Sequence, residues 1–327
     1  MTKPDDSSLE LHDLLAVEAR ARQLLDRADA WGRFPTPVED IIAAAKLRVA
    51  AKGMFDSASF LAFVKQKAAG AAHALKSALS KVLGIYDANE RVIHIDDTVR
   101  PSKQTFLKLH ETGHHELPAH RKIFRMFQDC EQTMSPAIAD HFEREANNFA
   151  RFALFQGTAY KLCAADMNMA LKTPIALAKT FGASVYASAR EFARTHHRAC
   201  IVYILEPIEH VPGVGARAAV RRIEPSASFQ SQFGCPSDLA IDVGHPLGNL
   251  LPIGRKMTRA RRLVFRDRNG DEHECLGEAF DTTFNVLLLI YPVKALTATS
   301  IIVPAAYGLA GASKDDVLHL SCSRGPY

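Results

Sequence analysis

Leu107-Lys108-Leu109-His110-Glu111-Thr112-Gly113-His114-His115-Glu116 contains H-E-x-x-H, read as His110, Glu111 and His114. Residues four apart share one face of a helix, so two imidazoles at this spacing can grip one metal ion from the same side. Glu111 falls where its carboxylate reaches a water held by that ion. The chemistry implied is Zn²⁺ polarising the water while the glutamate takes its proton. The motif is short and the chain holds 14 histidines, so its neighbours must carry part of the argument.

They do so in three ways. Phe106, Leu107, Leu109 and Thr112 surround the motif with apolar or neutral residues, as a partly buried helix requires. Arg91-Val92-Ile93-His94-Ile95-Asp96 alternates like a strand, and a strand beside the metal helix could hold an extended peptide by β-pairing. A later segment, Asp140 to Phe152, has a helical apolar set in Phe142, Ala146, Phe149, Ala150 and Ala153. Glu143 and Asn147 lie four apart on it. Glu143 is the candidate third ligand, and Asn147, one turn on, the candidate group that orients a histidine.

Thr105 to His114 resembles the signature of the ImmA/IrrE metallopeptidases, and Glu143-Arg144-Glu145-Ala146-Asn147-Asn148-Phe149-Ala150 resembles their second signature at the expected distance. The strand Gly84 to Ile95 is similar to one they carry just upstream. The resemblance implies zinc on His110, His114 and Glu143, with Glu111 as general base. It covers residues 30–200 and is much weaker beyond. Two departures stand out. Phe152-Ala153-Leu154-Phe155-Gln156-Gly157 replaces the family's Leu-Leu-Met-Pro, and His115 follows His114 directly. His115 points to a different face and reads as an incidental polar residue, not a ligand.

Around this centre the chain reads as an ordinary globular protein of 327 residues with a formal net charge of +4, long enough for about two domains. The mild positive balance permits nucleic-acid contact without indicating it. Cys130, Cys163, Cys200, Cys235, Cys275 and Cys322 are scattered singly, so neither a zinc ribbon nor a disulfide framework is signalled. The first residues are polar and acidic and lack the apolar core of a signal peptide. The longest apolar run, Val286 to Val293, is too short to span a bilayer. The expectation is a cytoplasmic protein with no membrane partner.

Leu9 to about Ala30 reads as a helix with Leu14, Leu15, Val17, Ala21, Leu24 and Leu25 as its stripe, and a second starts near Pro37. Trp31 reads as a packing residue between them. Asp56 to Val82 reads as a lysine-decorated helix. Metallopeptidases need a second proton donor or oxyanion partner; His120, His141 and Tyr160 are the candidates, and the sequence does not choose among them. Thr173 to Phe192 has helix-turn-helix spacing, with Gly182 ending the first helix and Ser184 capping the second. As a DNA reader it would offer Tyr186, Ser188 and Arg190, a thin inventory for base edges and phosphates, so direct DNA binding is not favoured.

Beyond about residue 198 the pattern turns to strands. Cys200 to Leu205 is strongly apolar, Asn269-Gly270 sits between alternating runs as a hairpin signal, and Phe284 to Tyr291 reads as a central strand. Arg255, Lys256, Arg259, Arg261 and Arg262 form the strongest basic patch; His273 near Cys275 reads as a surface pair. IrrE-type members carry a GAF-like sensory domain after the peptidase, and this tail could be its counterpart by domain order.

The expectation is therefore an α+β fold in three parts. Residues 1–160 form a zincin-like, mostly helical metallopeptidase domain with a small sheet. Residues 161–198 form a helix-turn-helix-like connector, and residues 199–327 a C-terminal α/β sensory or partner domain. The activity expected is metal-dependent peptide hydrolysis, with Zn²⁺ as cofactor and Mn²⁺ or Fe²⁺ as alternatives. The resemblance implies a protein substrate, a helix-turn-helix repressor cut site-specifically in a stress or mobile-element response. The competing class is a non-enzymatic regulator that binds DNA or a partner protein.

Overall fold

The structure, a computed structural model, describes residues 7–51, 84–87, 90–96, 98–121, 136–254 and 256–294. The basic helix expected over Asp56 to Val82 and Arg255 of the basic patch lie outside the described residues. The fold is mixed α+β and divides into two compact units, residues 1–164 with 170–192, and residues 165–169 with 193–327.

In the first unit, α1 (Leu11–Arg27) buries Val17, Ala21, Leu24 and Leu25. Spacings of four, three and one make a single stripe along the helix, and it packs on α4 (Pro136–Leu154). Burying each leucine contributes about 2 kcal/mol. Leu15, read as part of that stripe, is exposed, because it sits a half-turn off this face. Then come α2 (Val38–Ala44) and the two-residue strand β1 (Arg48–Val49).

The run from Gly84 to Ile95, expected as one strand, is a hairpin of β2 (Gly84–Asp87) and β3 (Val92–Ile95), with Gly84 opposite Ile95 and Asp87 opposite Val92. In the sequence Asp87, Asn89 and Glu90 interrupt the alternation; Arg91, just before β3, takes a positive φ of 54°. β3 is central, with β1 parallel to it on one side and β2 antiparallel on the other.

Helix α3 (Pro101–Glu116) opens on a proline at its first turn, where the missing N–H has no partner to lose. It packs on β2, β3 and α4. Gly113 sets its distance from α4: a Cβ there would stand 3.1 Å from Phe149 Cβ and Cδ1. After α5 (Ala159–Ala165), α6 (Lys172–Phe181) stops at Gly182, whose φ of 71° is left-handed, and α7 (Val185–Thr195) begins with Ala187 N–H donating to Ser184 Oγ at 3.1 Å. The helix pair and both of its caps are as expected.

The exit from α4 is a local clamp. Gln156 and Gly157 both have positive φ. The Gln156 side chain accepts from Gly32 N–H at 2.8 Å and donates to the Arg33 carbonyl at 2.9 Å. Trp31 lies at this loop, partly exposed, donating to Asp26 Oδ1 at 2.6 Å.

The second unit is built on β4 (Ile201–Leu205), β5 (Glu209–Val211), β6 (Gly215–Pro225), β7 (Ala240–Asp242), β8 (Arg261–Arg266), β9 (Glu272–Asp281) and β10 (Val286–Pro292), in the order β5-β6-β4-β10-β9-β8 with β7 beside β6. Every pairing is antiparallel. β10 is interior and fully buried, as its unbroken apolar run requires. The Asn-Gly turn joins β8 to β9, with Asn269 and Asp271 N–H groups both donating to Asp267 Oδ1. The same aspartate, through Oδ2, meets His273 Nε2 at 2.8 Å; Cys275 is buried. Helix α8 (Ala227–Phe233) packs its Phe229 into the core and is capped by Ser226 Oγ. No helix among the described residues is long and apolar enough to cross a membrane.

Candidate metal centre

The second half of α3 is anomalous for a helix interior. His110, Glu111, His114, His115 and Glu116 are all nearly out of solvent. Burying ionisable groups in series is costly unless each finds a partner, and each has one here. Glu116 takes Arg27 of α1 at 2.7 Å. His115 Nδ1 meets the Tyr86 hydroxyl at 2.6 Å and ties α3 to β2, so the residue read as incidental is a packed link.

Glu111 is bonded by the Tyr86 backbone, and His110 and His114 face α4. His110 Nε2 and His114 Nε2 are 3.1 Å apart; Glu143 Oε2 is 3.3 Å from the first, and Oε1 is 3.5 Å from the second. Two donors on a tetrahedral zinc, with bonds of about 2.0–2.1 Å, stand about 3.3 Å from each other. The three residues thus present the edges of one face of a coordination tetrahedron, and they form a group able to hold a metal. The histidine side chains are 10% and 6% exposed and Glu143 is 58% exposed, so the site opens to solvent past the carboxylate, where a substrate can enter.

What lies behind the donors fixes their tautomers. Asn147 Oδ1 stands 3.0 Å from His110 Nδ1. An amide oxygen only accepts, so Nδ1 carries a hydrogen, and Nε2 is the nitrogen that can offer a lone pair to the centre once it gives up its proton. Behind His114 the chain is longer: His114 Nδ1 lies 3.0 Å from His120 Nδ1, and His120 Nε2 lies 2.7 Å from Glu145 Oε2. The Glu145 carboxylate accepts from His120 Nε2–H, which leaves His120 Nδ1 to accept from His114 Nδ1–H. His120 is fully buried and stacked on Phe142, ring centroids 4.0 Å apart.

Electrostatics follow from this packing. Burial lowers the proton affinity of His110, but the Glu143 carboxylate beside it outweighs that and raises its pKa to about 9. Burial wins at His114 and lowers it to about 4. Burial also raises Glu111 to about 7, against the pull of His110 and the backbone hydrogen bond from Tyr86. Glu143 goes the other way: the two histidines outweigh its partial desolvation and hold it far below the usual carboxylate range.

The candidates for a second proton donor separate clearly. His120 stands behind His114, away from the open side. Tyr160 is fully buried and its hydroxyl is engaged by the Ser188 carbonyl and hydroxyl, both at 2.7 Å, which takes it out of a cleft. His141 lies beside Asp13 and Glu145, at 3.7 and 3.8 Å. Of the three helix-turn-helix residues that could reach a base edge, Ser188 and Arg190 are buried. Glu145 went unrecognised in the sequence because His120 lies past the end of α3, where helical spacing makes no prediction.

Residues 71–192 match the model of the peptidase family described as the IrrE N-terminal-like domain. No curated protein matches the chain. Among solved structures, a protein described as a Mycobacterium tuberculosis transcriptional regulator is similar, with a TM-score of 0.47 and 12% identity over 86% of this chain and 76% of that one. The matched stretch covers α3, α4 and the three converging donors, which supports a metallopeptidase-like function.

Proposed function

We propose that this protein is a zinc-dependent endopeptidase whose ligands are His110, His114 and Glu143 and whose general base is Glu111. The observation that carries the reading is the convergence of the three donors, 3.1 to 3.5 Å from one another, with Glu111 on the same helix. A divalent ion held there would supply Lewis-acid polarisation of the attacking water and the scissile carbonyl.

This chain's own residues do the rest. Glu111, buried next to His110 on α3, would take a proton from water and give it back to the departing amine. Tyr86 N–H holds its carboxylate in place. Asn147 and the His120–Glu145 pair keep Nε2 of each histidine turned inward. β3, the strand expected to take a peptide, is paired on both sides, whereas β2 is an edge among the described residues and packs on α3, where it can pair with an extended peptide. The resemblance to the ImmA/IrrE family supports a helix-turn-helix repressor as the substrate, cut at one site in a stress or mobile-element response.

The test is to incubate zinc-loaded wild type and Glu111→Gln with a panel of purified helix-turn-helix repressors and to search for new N-termini by mass spectrometry. A single new terminus made by wild type and absent with Glu111→Gln is expected. Equal cleavage by both proteins would overturn the reading.

A further inference from the structure

A second group of donors joins α1 and α4: Asp13 from α1 with His141 and Glu145 from α4, one atom from each within 4.8 Å of the others. His141 Nε2 is 3.7 Å from Asp13 Oδ2 and 3.8 Å from Glu145 Oε2. Those gaps are too long for hydrogen bonds. They lie within about 0.5 Å of the roughly 3.3 Å that separates two donors on a tetrahedral ion. His141 and Glu145 are four apart on a helix, the spacing that places two ligands on one face. His12 Nε2 occupies Asp13 Oδ1 at 3.1 Å, leaving Oδ2 as the oxygen turned toward His141. One imidazole and two carboxylates suit zinc or manganese.

A separate observation gives this cluster a consequence. Glu145 Oε2 is also the atom that accepts from the fully buried His120 at 2.7 Å, and His120 in turn meets His114. One oxygen therefore serves both clusters. A cation bound to it withdraws charge from the hydrogen bond that orients a ligand of the first centre.

We propose that Asp13, His141 and Glu145 form a second divalent-cation site, weaker than the first, whose occupancy loosens the His120–Glu145 contact and lowers peptidase activity. The site itself stands on geometry alone; the effect on activity rests on the peptidase reading.

Metal-free wild type, Asp13→Asn and His114→Ala are titrated with zinc alone, and bound ions are counted by native mass spectrometry. Two ions in wild type and one in each variant are expected. Two ions in Asp13→Asn, or a single ion in wild type that His114→Ala loses, would overturn the second site while leaving the first intact. No ion in any protein would overturn both. In the activity arm, excess zinc lowers wild-type cleavage several-fold and leaves Asp13→Asn unchanged; equal inhibition of both would overturn the coupling. His141→Ala repeats the count with a different ligand removed.

Discussion

His114 and His120 face each other through their Nδ1 atoms, 3.0 Å apart, in the buried wall behind the candidate metal centre. With His120 neutral and donating from its far nitrogen to Glu145, His120 Nδ1 accepts from His114 Nδ1–H, and the His114 Nε2 lone pair turns to the candidate metal position. His120→Phe keeps the stack on Phe142 and removes both hydrogen bonds. It should weaken zinc binding about 10- to 100-fold, measured by competition with a chromogenic chelator, with the circular-dichroism spectrum unchanged. Undiminished affinity would show that His114 needs no support from this side.

Metal uptake should be proton-coupled. His110 has a pKa raised to about 9 by Glu143, so below that pH an incoming ion must displace its proton. Apparent affinity should rise about tenfold per pH unit between pH 7 and 9 and level off above. Titration calorimetry in buffers of different ionisation enthalpy reads the released proton directly. The same shift sets the sign for the metal-free protein. A histidine whose folded pKa is raised stabilises the fold fully below its unfolded pKa near 6.5, and the contribution is lost as pH climbs through about 9. Thermal stability of the metal-free protein should therefore fall from pH 7 to 9, less so in His110→Gln.

Gly113 permits the approach of α3 to α4 that brings Glu143 within reach. A Cβ would stand 3.1 Å from Phe149, so Gly113→Ala gains about 1 kcal/mol of helix propensity and loses about 1–3 kcal/mol to overpacking. A net loss near 1 kcal/mol is expected in denaturant unfolding, and a larger one for Gly113→Val. A stabilised Gly113→Ala would show that the two helices move apart freely.

Gln156 joins the end of α4 to the loop before α2 through hydrogen bonds to Gly32 and Arg33, and it is fully buried. Gln156→Ala strands those backbone groups and should cost about 1–3 kcal/mol while leaving metal affinity within twofold. A large loss of affinity would instead place this clamp in the geometry of the site.

The parts of the site that obey a short period were legible in the sequence. His110 and His114 repeat at four on α3, Glu143 and Asn147 repeat at four on α4, and the structure faces the two pairs together. The partners behind His114 were not legible as such. His120 comes after Leu117 breaks the helix, and Glu145 reads as one more charge on a charged face; only the packing of α3 on α4 brings them together. The hairpin over Gly84 to Ile95 was hidden because its two strands alternate similarly on either side of a short polar interruption. In the second unit, Asn269-Gly270 and the apolar run of β10 announced their elements. The short β5 and β7 carry too few residues for a pattern to show.

The central claim is that His110, His114 and Glu143 hold one tightly bound ion. Its most direct test is the tightly held metal per chain in wild type beside His114→Ala and Glu143→Ala, measured by plasma mass spectrometry after zinc loading and exhaustive dialysis. The account predicts about one ion in wild type and none in either variant. Retention by Glu143→Ala would contradict the third ligand, and an empty wild type would contradict the metal centre itself.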